Sequence, residues 1–495
     1  MDNQMVRGAG VLMHISSLAG ETGIGTLGKN AYAFVDFLKS SGQKYWQILP
    51  IGPTGYGNSP YQSYSSFAGN PFFIDLDLIA AAGYLEKSDY EGIDWGEDAA
   101  RVDFDKVASG REVVFKKVYC NFIKNIPEDF KRFCQKSKAW LDDYALFMAI
   151  KDQNGSAAFT LWDKAIVKRE AAAMAFYTEK CRGRIFYHKM LQYFFFKQWT
   201  ALKKYANANG IKIIGDLPIY VSADSSDVWA NPEQFALDEN LRPIEVAGCP
   251  PDAFSKDGQL WGNPVYNWQH IKKDGYRFWI NRLKMSLRTY DIVRIDHFRG
   301  FEAYYCIAYG AENARDGVWR KGPDIELFDA VKKELGATPI IAEDLGFLTD
   351  EVRLLLEKSG FPGMKVLQFA FDSAEENDYI PHRYTKNSVV YTGTHDNDTI
   401  LGYVNSASGE TIERAMRYLG ASSPSQIREK MMTAALSSVS DICILTMQDL
   451  LALSSEARMN TPSTLGDNWQ WRCTISSFPS SVSGFLRYYT QLYNR

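Results

Sequence analysis

Eight short stretches of this 495-residue chain are apolar on both of the faces a strand would present. They read GVLMHISSL (10–18), YWQILPI (45–51), IKIIGDLPI (211–219), DIVRIDHF (291–298), PIIAEDL (339–345), MKVLQFAFD (364–372), SVVYTGTHD (388–396) and DICILTMQDL (441–450). A strand with one wet face alternates apolar and polar residues, whereas a parallel sheet covered on both sides does not. Helical patterns lie between the runs. Asn30 is placed to cap a helix that carries Phe34, Phe37 and Leu38 on one face and stops near Gly42. Thr349-Asp350-Glu351 opens another, which holds Leu354, Leu355 and Leu356 and ends at Gly360-Phe361-Pro362. Strands alternating with helices, eight times over, predict an α/β fold of the (β/α)8 TIM-barrel type; a doubly wound open sheet is the alternative.

The spacing is uneven. About 160 residues separate the second run from the third, far more than a strand-to-helix connection needs. The reading is therefore one catalytic domain over 1–495 with two insertions. The first, 56–205 after strand two, is mostly helical, with patterns such as REVVFKKVYCNFIKNI and DDYALFMAIKDQ. The second, 220–270 after strand three, is rich in Gly, Pro and Trp and reads as loops. A net charge of -4 with no Lys/Arg run gives no electrostatic case for nucleic acid. No window of about 18 apolar residues suggests a membrane span, and the N-terminus lacks the apolar core of a signal peptide. Seven Cys, an odd number with no C-x-x-C pair, fit reduced thiols. Together these place the protein in the cytoplasm. Twelve Trp, 28 Tyr and 29 Phe, many of them in loops, suit a ligand with flat apolar faces.

In a barrel the active site forms at the C-terminal ends of the strands. The ends of the runs supply Asp216; Arg294, Asp296 and His297; Glu343 and Asp344; Asp372; and His395, Asp396 and Asp398. Converging carboxylates suit glycoside cleavage, in which one attacks the anomeric carbon and another protonates the leaving oxygen. They also suit metal-assisted hydrolysis. Histidines number only six, and H-x-H and H-E-x-x-H are absent, so neither a metal nor a cofactor is expected. Arg294 precedes Asp296 by two, so in a strand both point the same way. A guanidinium there lowers a carboxylate's pKa, which a nucleophile needs. By the same alternation His297 points away and reads as structural. The stretch GIGTLG (23–28) matches G-x-G-x-x-G in form only. Residues intervene after the strand and no acid ends the second run, so it reads as a turn and not as an NAD site.

Seven longer stretches carry a family likeness: SPYQSYSSFAGNP (59–71), GDLPIYV (215–221), GCPPDAFSKDGQLWGNPVY (248–266), VRIDHFRGF (293–301), IAEDLG (341–346), GTHDND (393–398) and MNTPSTLGDNWQWR (459–472). In them the chain resembles the 4-α-glucanotransferases known as amylomaltase or disproportionating enzyme, glycoside hydrolase family 77. The resemblance implies transfer of α-1,4-glucan segments between maltooligosaccharides through a covalent glucosyl-enzyme, with retention. It implies Asp296 as nucleophile, Glu343 as general acid/base and Asp396 as the third, transition-state-stabilising carboxylate. Arg294, His395 and Asp216 match residues beside the reacting sugar, and Tyr61 matches an aromatic platform beneath it. Ser59, Gln259, Trp261, Asp372 and Asn468 match further substrate contacts. An α-glucan hydrolase with the same trio of carboxylates is the alternative, and a non-catalytic glucan-binding barrel is a more distant one.

Overall fold

The doubly apolar runs close into a barrel. The computed structural model describes residues 5–251, 255–346, 348–372, 377–475 and 477–495. Its strands are β1 (Gly8–Leu12), β2 (Tyr45–Gln47), β3 (Lys212–Leu217), β4 (Glu245–Cys249), β5 (Gln259–Pro264), β6 (Ile292–Ile295), β7 (Ala303–Ala308), β8 (Val318–Lys321), β9 (Ile340–Ala342), β10 (Gly363–Val366), β11 (Ser388–Tyr391) and β12 (Ile442–Thr446). The barrel runs β1-β12-β11-β10-β9-β6-β3-β2, every neighbouring pair parallel, and β1 closes it against both β2 and β12. Each of the eight predicted runs supplies one barrel strand. The strands are shorter than the runs, because the polar end of each run has already left the sheet and lies at the mouth.

Alternation sorts the side chains into two cores. Leu12, Ile214, Ile292, Ile341, Val389 and Ile442 cluster together in the barrel interior. Their neighbours Val11, Ile213, Val293, Ile340, Val390 and Cys443 join the larger core between strands and helices. Burying each such aliphatic side chain contributes about 1.5–3 kcal/mol. Gly215 in β3 is required by a close approach. A Cβ there would lie 2.1 Å from the ring of Tyr290.

The helix Lys29–Ser40 forms as expected, but Gly28 and not Asn30 is its N-cap. The Asp75 carboxylate crowds Gly28, where a Cβ would fall 1.8 Å from Oδ2, so the helix begins on glycine. The Asn30 amide instead donates to the Ala19 carbonyl (2.7 Å). Thr349 caps Asp350–Ser359 through Val352 N–H, and Gly360 ends that helix at φ +69°.

Between β2 and β3 the chain forms the helices Leu76–Ala81, Phe104–Phe122, Glu128–Gln153, Lys164–Val167, Ala171–Lys180 and Arg182–Ala208. Phe122, Phe130, Phe186, Tyr193 and Phe194 knit them through ring contacts. The last helix has a second duty: Trp199, Leu202 and Ala206 pack into the core between strands and helices just ahead of β3. The stretch 220–270 differs from its reading as loops. It holds β4 and β5, which join β7 and β8 in an antiparallel sheet ordered β5-β4-β7-β8. β4 pairs with β5 inside the stretch, but its other partner, β7, lies beyond β6, so no local pattern exposes the whole sheet. Val246, Tyr305, Ile307 and Ala314 give this sheet its own small core. Among the described residues, no helix is long and apolar enough to cross a membrane.

Candidate active site

Arg294 is the centre of the barrel mouth. It follows Ile292 on the inward face of β6, where its side chain is 4% exposed. A guanidinium so placed must be paired or it costs several kcal/mol. Nη1 donates to Asp216 Oδ2 at 2.5 Å and lies 3.3 Å from Asp296 Oδ1, while Nη2 lies 3.9 Å from Glu343 Oε2. Nε points at Met364 Sδ (3.4 Å). One cation thus gathers three carboxylates from the ends of β3, β6 and β9. The register brings them together: Asp216 is level with Arg294, and Asp296 and Glu343 each follow the last residues of their paired strands, Ile295 and Ala342.

Tyr61 closes the group from the loop after β2. Its hydroxyl donates to the same Asp216 Oδ2 (2.7 Å), and its ring stacks on His395 with centroids 5.2 Å apart. His395 Nε2 lies 3.4 Å from Asp396 Oδ1. Burial lowers the His395 pKa more than the Asp396 charge raises it, which keeps the ring neutral. The Asp396 side chain, 43% exposed, accepts from Asn460 Nδ2 at 2.6 Å.

The electrostatics differ from the expectation drawn from Arg294. Arg294 does pull the Asp296 carboxyl down, but burial outweighs it and the Asp216 and Asp396 charges add to the rise, leaving Asp296 at about 7. The reason is geometric: Arg294 spends its closest contact on Asp216. Burial first, then the Asp296 charge, pushes Glu343 up to about 8, against the pull of Arg294 and of a backbone hydrogen bond. Each negative charge disfavours the other, so the two carboxyl groups titrate as an interacting pair.

His297 also departs from its reading. β6 ends at Ile295, so strand alternation no longer applies, and His297 adopts a left-handed conformation (φ +50°). That turn aims its N–H at Glu343 Oε2 (2.5 Å) and sets its ring edge-on to Trp261, centroids 4.8 Å apart. The residue therefore orients Glu343 through its backbone. Burial lowers its imidazole to about 3.

The remaining predicted residues divide. Trp261 and Gln259 reach the mouth on β5, and the indole N–H donates to Gln259 Oε1 (3.1 Å). Ser59 Oγ accepts from Tyr61 N–H (3.3 Å), which shapes the tyrosine's loop. Asn468 ties its own loop, accepting from Thr461 N–H and donating to the Thr464 carbonyl. Asp372 is exposed and accepts from the Tyr403 hydroxyl (3.2 Å), apart from the Arg294 group. Residues 252–254 of the GCPPDAFSKDGQLWGNPVY stretch lie outside the described residues. Two acids found by the search of strand ends hold backbone instead: Asp344 accepts from Met364 N–H, and Asp398 from Thr399 N–H. Sequence reasoning missed Asn460, although it stands in the quoted 459–472 stretch, and Arg458 just before it. Arg458 donates to the Asp396 carbonyl (2.6 Å).

A partly buried pair of carboxyl groups around one guanidinium at a barrel mouth, with a third carboxylate and aromatic rings nearby, is the equipment of an enzyme acting on glycosidic bonds. The comparisons narrow that class. The family model described as 4-alpha-glucanotransferase matches residues 13–476, and the chain belongs to that family. It is 52% identical over 492 residues to the 4-alpha-glucanotransferase of Streptococcus pneumoniae, covering 99% of this chain and 97% of that protein. The 4-alpha-glucanotransferase of Clostridium butyricum is 48% identical over 485 residues, covering 98% and 100%. The amylomaltase of Streptococcus agalactiae, solved in complex with acarbose, superposes with a TM-score of 0.96 at 46% identity, covering 99% of each chain.

Proposed function

We propose that this enzyme moves α-1,4-glucan segments from a donor to the 4-hydroxyl of a glucan or glucose acceptor by a retaining double displacement. Asp296 attacks the anomeric carbon while Glu343 protonates the departing oxygen. Glu343 then takes the proton of the incoming hydroxyl as the sugar is released from Asp296. Positive charge on the oxocarbenium-like transition state is stabilised by Asp396 and by the carboxylates around Arg294. Tyr61, Asp216, Arg294 and His395 surround the reacting sugar, and Ser59, Gln259, Trp261, Asp372 and Asn468 serve neighbouring units. Acarbose, which the Streptococcus agalactiae relative binds, is a fitting probe of the cleft. The odd, scattered cysteines support a cytoplasmic setting.

The observation that carries the reading is the single Arg294 shared by two carboxyl groups that are both raised, Asp296 to about 7 and Glu343 to about 8. Incubation with maltotriose tests it. Glucose and a ladder of longer glucans with no net rise in reducing ends are expected; a steady rise would favour the hydrolase instead.

Two further outcomes follow from the geometry. Activity requires Asp296 ionised and Glu343 protonated. The kcat/KM profile should therefore rise through an acid limb and fall through an alkaline one, with its maximum between about 7 and about 8. A profile flat from pH 5 to 9 would refute the assignment of the pair. Secondly, transfer needs a sugar hydroxyl to win over water at the covalent intermediate. Trp261, half-buried over the mouth, presents a flat apolar face for an acceptor sugar. Trp261→Ala should raise hydrolysis relative to transfer, measured as reducing ends released per glucan rearranged. An unchanged ratio would sink that role.

A further inference from the structure

The segment from Arg458 to Arg472 straps the barrel mouth to the helical insertion. At its near end, Asn460 Nδ2 donates to Asp396 Oδ1 (2.6 Å) and Asn460 N–H to the His395 carbonyl (3.1 Å). Arg458 Nη2 donates to the Asp396 carbonyl (2.6 Å) and Nε to the Asn460 carbonyl (2.9 Å). Trp469 N–H, bonded to the Met459 carbonyl at 2.7 Å, closes the strap on itself. At the far end, Val102 N–H meets the Gln470 carbonyl and Arg472 N–H the Ala100 carbonyl, both at 2.7 Å. Cys473 N–H meets the Ser17 carbonyl at 2.8 Å. The strap is anchored on both sides of the cleft.

Asp396 depends on such an anchor. It lies five residues past the end of β11 and its side chain is 43% exposed. His395 Nε2, at 3.4 Å, is a loose neighbour. A carboxylate that stabilises a transition state works by standing in place before charge develops, and a misplacement of about 1 Å can cost about 100-fold. The 2.6 Å amide contact is the short, directional bond that can hold it.

We infer that Asn460 is a positioning residue for Asp396. Its amide fixes Oδ1, and so the direction of the second oxygen, while Arg458 fixes the backbone from which Asp396 hangs. The inference rests on the reading of Asp396 as the transition-state carboxylate. It differs from a direct contact between Asn460 and glucan, and a double-mutant cycle separates the two.

The experiment measures kcat and KM for maltotriose and for α-maltosyl fluoride in the wild type, N460A, N460D, D396N and N460A/D396N, with thermal melts alongside. N460A should lower kcat by about 10- to 100-fold and leave KM within about threefold. N460D keeps the shape and so the fold. It should lose more activity, and increasingly so as pH rises, because the introduced carboxylate, once ionised, faces Asp396 without a proton to donate. In the D396N background N460A should cost less than about threefold, since the group it positions is already disabled. The same loss in both backgrounds, or a change confined to KM, would overturn positioning in favour of a direct glucan contact. Wild-type kcat in N460A with D396N inactive would also overturn it. Near wild-type turnover by D396N would instead bring down the reading of Asp396 itself.

Discussion

Replacing Asp296 by Asn is expected to lower kcat on maltotriose by on the order of 10⁴-fold or more while leaving maltotriose binding within a few-fold. The amide keeps the shape of the carboxylate and can still face Arg294, so the cleft is preserved. What is lost is the anion: an amide oxygen does not form the glucosyl bond, and without that bond the reaction has no first step. The substitution also removes a charge that helps raise Glu343, so the Glu343 pKa should fall in D296N while burial keeps it above that of an ordinary glutamate. Turnover and isothermal titration on one preparation decide the matter. Turnover above about 1% of wild type would place the nucleophile elsewhere.

Glu343→Gln should cost about 10²- to 10⁴-fold with glucans, because their leaving oxygen departs poorly without a proton. Fluoride needs no such help. With α-maltosyl fluoride the first step should stay fast while the second, which lacks its base, stalls. The covalent maltosyl-enzyme should then accumulate and appear as a mass increment on the intact protein; no increment would reject the acid/base role. The same variant should be more stable than the wild type at neutral pH. The Glu343 pKa is raised in the fold from 4.5 to about 8, so the folded state binds its proton more tightly than the unfolded state does. That favours the fold only while the group is protonated. Stability is lost as pH climbs from about 4.5 towards 8, by on the order of a few kcal/mol. Gln carries no charge and escapes this loss. The rise in Tm of E343Q over wild type should thus be small at pH 4.5 and largest above pH 8.

The barrel was legible because parallel strands buried on both faces leave a mark that no other element shares. β7 shows where such legibility stops. AYYCIA is as apolar as a barrel strand, yet it pairs antiparallel with β4, some 60 residues earlier in the chain, and with β8, whose residues are all exposed. Composition reports burial, but not the direction or partner of pairing. In the site, Asp216, Arg294, Asp296, Glu343 and Asp396 could be found by reading strand ends, and Arg294 with Asp296 by alternation. Tyr61 came through family likeness, since its meeting with Asp216 spans 155 residues. Two contacts stayed hidden for different reasons. His297 turns toward Glu343 only because the strand ends one residue before Asp296 and the backbone swings left-handed. Asn460 meets Asp396 at a separation of 64 positions along the chain, brought there by the strap. Nor could sequence weigh burial against Arg294 in setting the protonation of Asp296.

Closure of the barrel through β1 and β12 has a consequence for how the molecule is born. At about 5–20 residues per second, synthesis takes roughly 25–100 s for 495 residues. Seven barrel strands exist once Tyr391 is made, but the gap between β1 and β11 is filled only by Ile442–Thr446. For roughly 3–11 s the nascent chain therefore carries an open sheet with two unpaired edges, the kind of surface that recruits other chains. The strap that orients Asp396 emerges later still. Catalytic competence waits for β12 and the strap, and the hazard of misassembly is concentrated in the same few seconds.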